Sequence, residues 1–127
     1  HWPTGLKTEA GSISSNRGHL VDIMATCLEL AGASYPRQHG GKSIVATDGR
    51  SLVPILLGKD LEKNHAYFFK HNRTCALVKG DYKIVREGKG AWALYDLSKD
   101  RTETNNIAKQ YPELVQSLSE LWQARKW

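Results

Sequence analysis

No apolar run in this sequence approaches the ~18–20 residues a membrane-spanning helix needs, so a helical membrane protein is not expected from these residues. Cysteine is nearly missing: Cys27 and Cys75 stand alone, without C-x-x-C spacing. A disulfide framework and a thiolate zinc site are thereby excluded. A single 27–75 bridge stays open, because sequence cannot test its geometry. Cys27 falls in an apolar helical stretch and reads as a buried packing residue. The five histidines, His1, His19, His39, His65 and His71, contain no pair at helical metal spacing and no H-E-x-x-H. No serine occupies a G-x-S-x-G elbow. Gly40-Gly41-Lys42-Ser43 ends like a phosphate loop, but Pro36 stands where the first glycine of that motif belongs. The opening His1-Trp2-Pro3-Thr4 lacks a basic stretch followed by an apolar one, so no secretory signal is visible there. The absent initiator Met reads as the mark of a processed or excised piece.

What is present suits a globular fold. The 127 residues are 40% hydrophobic and 24% charged, which excludes a disordered tail. At this mass a single compact domain would expose roughly 6,800 Å² and bury about two thirds of its unfolded surface. The net charge is +5, and residues 59–90 hold most of it, with eight Lys/Arg against four Asp/Glu. Such a segment suits an anionic partner, or it is the solvated, lysine-rich face of a sheet.

Periodicity and turn residues divide the chain. Residues 1–18 read as a loop and Gly18–Val21 as extended. Asp22 is placed to cap a helix over 23–31, which Gly32 closes in a left-handed conformation. That helix is apolar around more than one stripe and calls for neighbours on two sides. Residues 33–51 form a long loop. Ser51 can cap a short helix over 52–57 with Pro54 in its first turn, and Gly58 ends it. Runs at 66–69, 74–78, 82–86 and 92–95, separated by turn residues such as Gly80-Asp81 and Gly88-Lys89-Gly90, predict an antiparallel sheet of about four strands. Pro112 starts a final helix whose Leu114, Val115, Leu118, Leu121 and Trp122 make one stripe to lie on that sheet, with Arg125 and Lys126 at its negative end. The fold class is α+β: a small antiparallel sheet packed against a C-terminal helix, preceded by a helix and loops.

The stretch Leu94–Ala108 is the most distinctive local pattern. Asp96, Asp100, Glu103 and Asn106 offer oxygens, but the tight glycine turn and alternating ligands of a calcium loop are missing. The expected role is local: Asp100 and Glu103 accept from turn amides and Asn106 caps the next turn. His71 follows an aromatic strand, beside Asn72 and Arg73 in the basic segment. It is either an anion contact or a strand-end surface histidine.

Five segments in register resemble the C-terminal part of a type I sulfatase of the arylsulfatase kind. They are His1-Trp2-Pro3-x-Gly5, Gly18 to Ala33, Asp48-Gly49-Arg50-Ser51-Leu52-x-Pro54-x-Leu56, Gly80 to Val85, and Leu94 to Ala108. The resemblance implies that residues 1–58 end a large, alkaline-phosphatase-like α/β domain and that 59–127 form a C-terminal subdomain bordering the substrate cleft. It also implies that the full-length parent uses a calcium ion and a formylglycine made from a C/S-x-P-x-R motif. This chain contains no such motif, and no cofactor, catalytic or metal-binding residue is assigned to it. A substrate-contacting role carries over to His71 alone: where many members read H-E-G-N-R-A, this chain reads His71-Asn72-Arg73-Thr74-Cys75-Ala76.

The expected function is thus that of a sulfatase C-terminal fragment, inactive alone. Its partners are the N-terminal domain of the same parent and a sulfated substrate. Nucleic acid and membrane are not expected partners, self-association of the fragment is, and the family suggests a periplasmic or secreted location. The alternative is a stand-alone basic α+β module binding nucleic acid or sulfated polysaccharide, with Tyr67, Phe68, Phe69 and Tyr82 as stacking candidates.

Overall fold

In the computed structural model, residue 2 and residues 4–125 are described. The chain forms two compact units, residues 1–62 and 63–127. The first contains α1 (Asp22–Leu30), the two-residue strands β1 (Gln38–His39) and β2 (Lys42–Ser43), and α2 (Val53–Leu56). The second contains β3 (Ala66–His71), β4 (Thr74–Lys79), β5 (Tyr82–Glu87), β6 (Ala93–Asp96) and α3 (Pro112–Ala124). This is an α+β fold with a small antiparallel sheet.

The first unit is fastened by polar groups. Asp22 is not the cap that its residue type suggests: Val21 holds the N-cap position, and Asp22 is the first helical residue. Its side chain is 1% exposed. One carboxylate oxygen accepts the His19 amide at 2.7 Å and the other the Arg50 amide at 2.9 Å. A buried carboxylate must be satisfied by donors, and these two come from segments on either side of α1 in sequence. One turn on, the Thr26 hydroxyl donates to the Asp22 carbonyl at 2.7 Å and accepts the Leu52 amide at 2.9 Å. The loop between these contacts approaches so closely that a Cβ on Gly49 would lie 2.0 Å from the Val21 carbonyl oxygen.

The ends of the two helices follow the sequence more simply. Gly32 (φ +61°) closes α1 in a Schellman arrangement, with the Gly32 amide on the Glu29 carbonyl and the Ala33 amide on that of Leu28. The Ser51 hydroxyl accepts the Val53 amide at 3.1 Å, and Gly58 (φ +74°) ends α2. Asn16 ties a third strand of chain, taking the Leu61 amide at 3.0 Å and donating to Asp60 at 3.0 Å. The Trp2 indole lies over Gly5, where a Cβ would be 1.6 Å from the ring. His1 and Pro3 of the same motif lie outside the described residues.

Several expectations for this unit are corrected. Leu20 and Val21 form a turn rather than extended chain, closed by the Asp22 amide on the His19 carbonyl. The loop 33–51 contains the β1–β2 hairpin, turned by Gly40 and Gly41, both at positive φ. Cys27 is exposed, because α1 covers only part of its circumference; it and buried Cys75 are both free thiols.

The second unit carries the apolar core. The sheet is a meander, β3-β4-β5-β6. Its register aligns Phe68 with Leu77, Leu77 with Ile84, and Ile84 with Leu94 in one row across all four strands. Alternation puts this row on one face, and α3 covers it: Leu77, Ile84 and Leu94 are fully buried and join Leu118 in one cluster. Leu114, Val115, Leu121 and Trp122 pack around it, as their helical spacing predicts. Pro112 begins α3 and Arg125 is its C-cap; Lys126 lies outside the described residues. The stacking candidates are mostly core: Tyr67 is buried and Phe68 and Tyr82 pack against the cluster, while Phe69 is exposed.

Replacing Asp22 by Ala deprives the His19 and Arg50 amides of their acceptor and should cost the first unit about 3 kcal/mol. In a nitrogen–proton correlation spectrum, resonances of residues 18–52 should collapse toward random-coil positions while those of β4 and β5 stay in place. A spectrum in which both units keep their dispersion would contradict this role.

Candidate functional site

His71 is the last residue of β3 and is exposed. It faces Thr74 across a two-residue turn in which Asn72 takes φ +50°, a conformation that asparagine tolerates. The Asn72 side-chain amide sits 3.2 Å from His71 Nε2. Arg73 completes the turn. Its carbonyl accepts the Gly88 amide at 2.7 Å, which joins the β3–β4 turn to the turn after β5. Gly88 has φ +56°, and a Cβ there would lie 3.0 Å from Arg73 Nη2, so the guanidinium rests on bare backbone. Sequence reasoning selected His71 and passed over Arg73; the signal for it was the glycine at 88, legible only once the two turns are known to meet.

The basic segment divides by role. Lys83 Nζ holds both carboxylate oxygens of Glu103, at 2.6 and 2.7 Å. Arg86 stacks over Trp92 with its Cζ 4.5 Å from the ring centroid, and lies 5.7 Å from that of Trp122. Those cations are absorbed in the structure. Arg73 is different: its side chain has no hydrogen bond or ion pair among the described residues.

The stretch after β6 spends its oxygens locally. Asp100 accepts the Thr104 amide at 3.1 Å and the Asn105 amide at 2.8 Å, together with the Thr102 and Thr104 hydroxyls. Asn106 Oδ1 accepts the Ala108 amide, capping that turn, and also the Leu94 amide of β6. Glu103 departs from expectation. It takes φ +58° and pairs with Lys83 instead of accepting turn amides. Among the described residues, no group of three or more His, Cys, Asp and Glu could hold a metal. With no C/S-x-P-x-R motif in the sequence either, the residues present do not fit a calcium–formylglycine centre. The first unit outlines an open depression of about 180 Å³ near Ser14, Asn16, Ile55 and Asp60, below the size of an ordinary ligand pocket. No described helix is long and apolar enough to cross a membrane.

The chain is similar to sulfatases in both sequence and structure. An uncharacterized sulfatase of Schizosaccharomyces pombe is 34% identical over 81% of this chain, which covers 20% of that protein. N-acetylgalactosamine-6-O-sulfatase of Bacteroides thetaiotaomicron is 30% identical over 98% of the chain, covering 26% of that protein. A solved structure from the same bacterium, connected with the metabolism of multiple glycosaminoglycans, is 33% identical with a TM-score of 0.66 over 81% of the chain and 24% of its own. No family model matches the chain. The chain belongs to the sulfatase family and corresponds to the C-terminal portion of its members, spanning about a fifth to a quarter of the length of these relatives.

The carboxyls of the loop set its pH response. The Asn105 and Thr104 amides, then the threonine hydroxyls, hold Asp100 below its ordinary value of 3.8. The Ser98 hydroxyl does the same for Asp96, against a smaller opposing effect of burial and with help from the Ser98 amide and Lys99. A depressed folded value means that the contribution is complete above the ordinary value and fades as pH falls through the folded one. The amide resonances of Thr104 and Asn105 should therefore hold their positions from pH 7 down to about 4 and shift toward random coil only below it. Movement of these resonances between pH 7 and 5 would contradict the assignment.

Proposed function

We propose that this chain is the C-terminal portion of a sulfuric ester hydrolase, which supports the fold and borders the substrate cleft while the reaction centre lies elsewhere in the parent. One observation carries this reading. Among the described residues of the first unit only Asp22 and Val53 are buried, while Ile23 and Met24 of α1 are each 54% exposed. A segment held by specific hydrogen bonds, with an apolar helix face left bare, has the form of an edge of a larger core. The relatives, four to five times longer, supply what that core would be.

On this reading residues 1–58 are the terminal segment of the large sulfatase domain and 59–127 are the C-terminal subdomain. The partner is the N-terminal domain of the same parent chain, which contributes the formylglycine nucleophile and the calcium ion. His71, exposed at the tip of the second unit, contacts substrate. One relative acts on N-acetylgalactosamine 6-O-sulfate groups by its name, and we take a sulfated amino sugar as the substrate class. The location is periplasmic or secreted.

The isolated chain should release no sulfate from an aryl sulfate ester, because it supplies neither nucleophile nor metal. Co-expression with the preceding part of its parent should restore turnover. Sulfate release by the chain alone, or failure of the two parts to form an active complex, would overturn the proposal. The bare face of α1 adds a second test: the free chain should self-associate in light scattering, and the double variant Ile23→Ser, Met24→Ser should shift it to monomer. A strictly monomeric unsubstituted 127-residue chain at the same concentration would contradict this.

A further inference from the structure

The hairpin tip between β3 and β4 offers a fixed cation that no carboxylate among the described residues takes up. A surface arginine normally swings freely and loses side-chain entropy when it meets an anion. Arg73 departs from that pattern in three ways. Its backbone is locked to the neighbouring turn through the Gly88 amide at 2.7 Å. Its guanidinium lies against Gly88, the residue that leaves room for it: a Cβ there would stand 3.0 Å from Nη2 and 3.5 Å from Nε. No carboxylate takes up its charge among the described residues, whereas Lys83 in the same sheet is held by both oxygens of Glu103. Beside it, the exposed His71 ring is steadied by Asn72, so one short turn presents an imidazole and a planar, five-donor fork. Asn72, which forces this turn, does so at φ +50°.

We propose that Arg73, seated on Gly88 next to His71, recognises a second anionic group of a sulfated saccharide, a carboxylate or sulfate other than the ester being cleaved. The assignment rests on the sulfatase reading above and deepens it by making the substrate at least doubly charged. Arg73 is a specificity-determining residue on this view, because a planar fork favours a two-oxygen acceptor over a neutral hydroxyl.

The test is a nuclear magnetic resonance titration of the full 127-residue chain with an unsaturated uronate–N-acetylgalactosamine 6-sulfate disaccharide. Saturable shifts should centre on the amides of residues 71–74 and 87–89, and weaken with added salt. The desulfated methyl-ester disaccharide should leave them in place. Arg73→Gln should weaken binding by about tenfold, as expected for loss of a charge-assisted pair, and Arg73→Lys should recover part of it. Gly88→Ala should weaken binding with Arg73 intact, since the new Cβ displaces the guanidinium; unchanged β4 and β5 resonances verify that each variant is folded. Shifts that spread over all basic residues, or that survive Arg73→Gln, would overturn the inference. The two readings fail separately. Restored turnover on co-expression with an unresponsive hairpin removes this inference alone, whereas a responsive hairpin in a chain that completes no sulfatase removes the other.

Discussion

A single buried carboxylate organises the first half of this protein. Asp22 draws the amides of His19 and Arg50 onto the start of α1, and through its own carbonyl it fixes Thr26, which in turn holds Leu52. Gly49 is where this closure is tightest, with backbone against backbone. These few hydrogen bonds, each worth on the order of 1 kcal/mol net and more where charged, do the work that apolar burial does in most domains. The described surface shows the consequence: Ile23 and Met24 of α1 are each 54% exposed. Its first unit is specified in shape and short of a core.

The second unit is built the other way. A row of Phe68, Leu77, Ile84 and Leu94 crosses the whole sheet and is sealed by Leu118 of α3. Polar groups then finish it. Asn106 joins the end loop to β6, and Glu103, in a left-handed backbone conformation, reaches back to Lys83. The rigid sheet carries its β3–β4 turn outward, and the bond from Gly88 to Arg73 holds that turn against its neighbour. A site on such a turn is positioned by the packed sheet beneath it, as binding loops on rigid scaffolds generally are.

How much of this was legible depends on the range of the interaction. The sheet and α3 follow from period-two alternation and from the 3.6-residue stripe, which are local patterns, and their predicted limits lie within two residues of those observed. The caps at Gly32 and Gly58 follow from glycine chemistry. What escaped was set by partners distant in sequence. Asp22 has the residue type of a cap, and only the arrival of Arg50, 28 positions later, shows that its carboxylate is a buried clasp. Glu103 has the residue type of a turn acceptor and is claimed by Lys83, 20 positions earlier. Cys27 lies in an apolar run that predicts burial, yet the unit has too little mass to cover that side of α1. At the candidate site, His71 was visible as a residue, while Arg73 became visible only when its turn met Gly88.

The central claim is that the first unit is the edge of a larger domain and the second a self-sufficient sheet. Amide hydrogen exchange measures this directly, because protection tracks local opening free energy. In the free chain, the amides of Thr26, Arg50 and Leu52 should exchange orders of magnitude faster than those of Leu77 and Ile84, and they should reach comparable protection when the preceding domain of a sulfatase is joined to them. Equal, slow exchange in both units of the free chain would contradict the account.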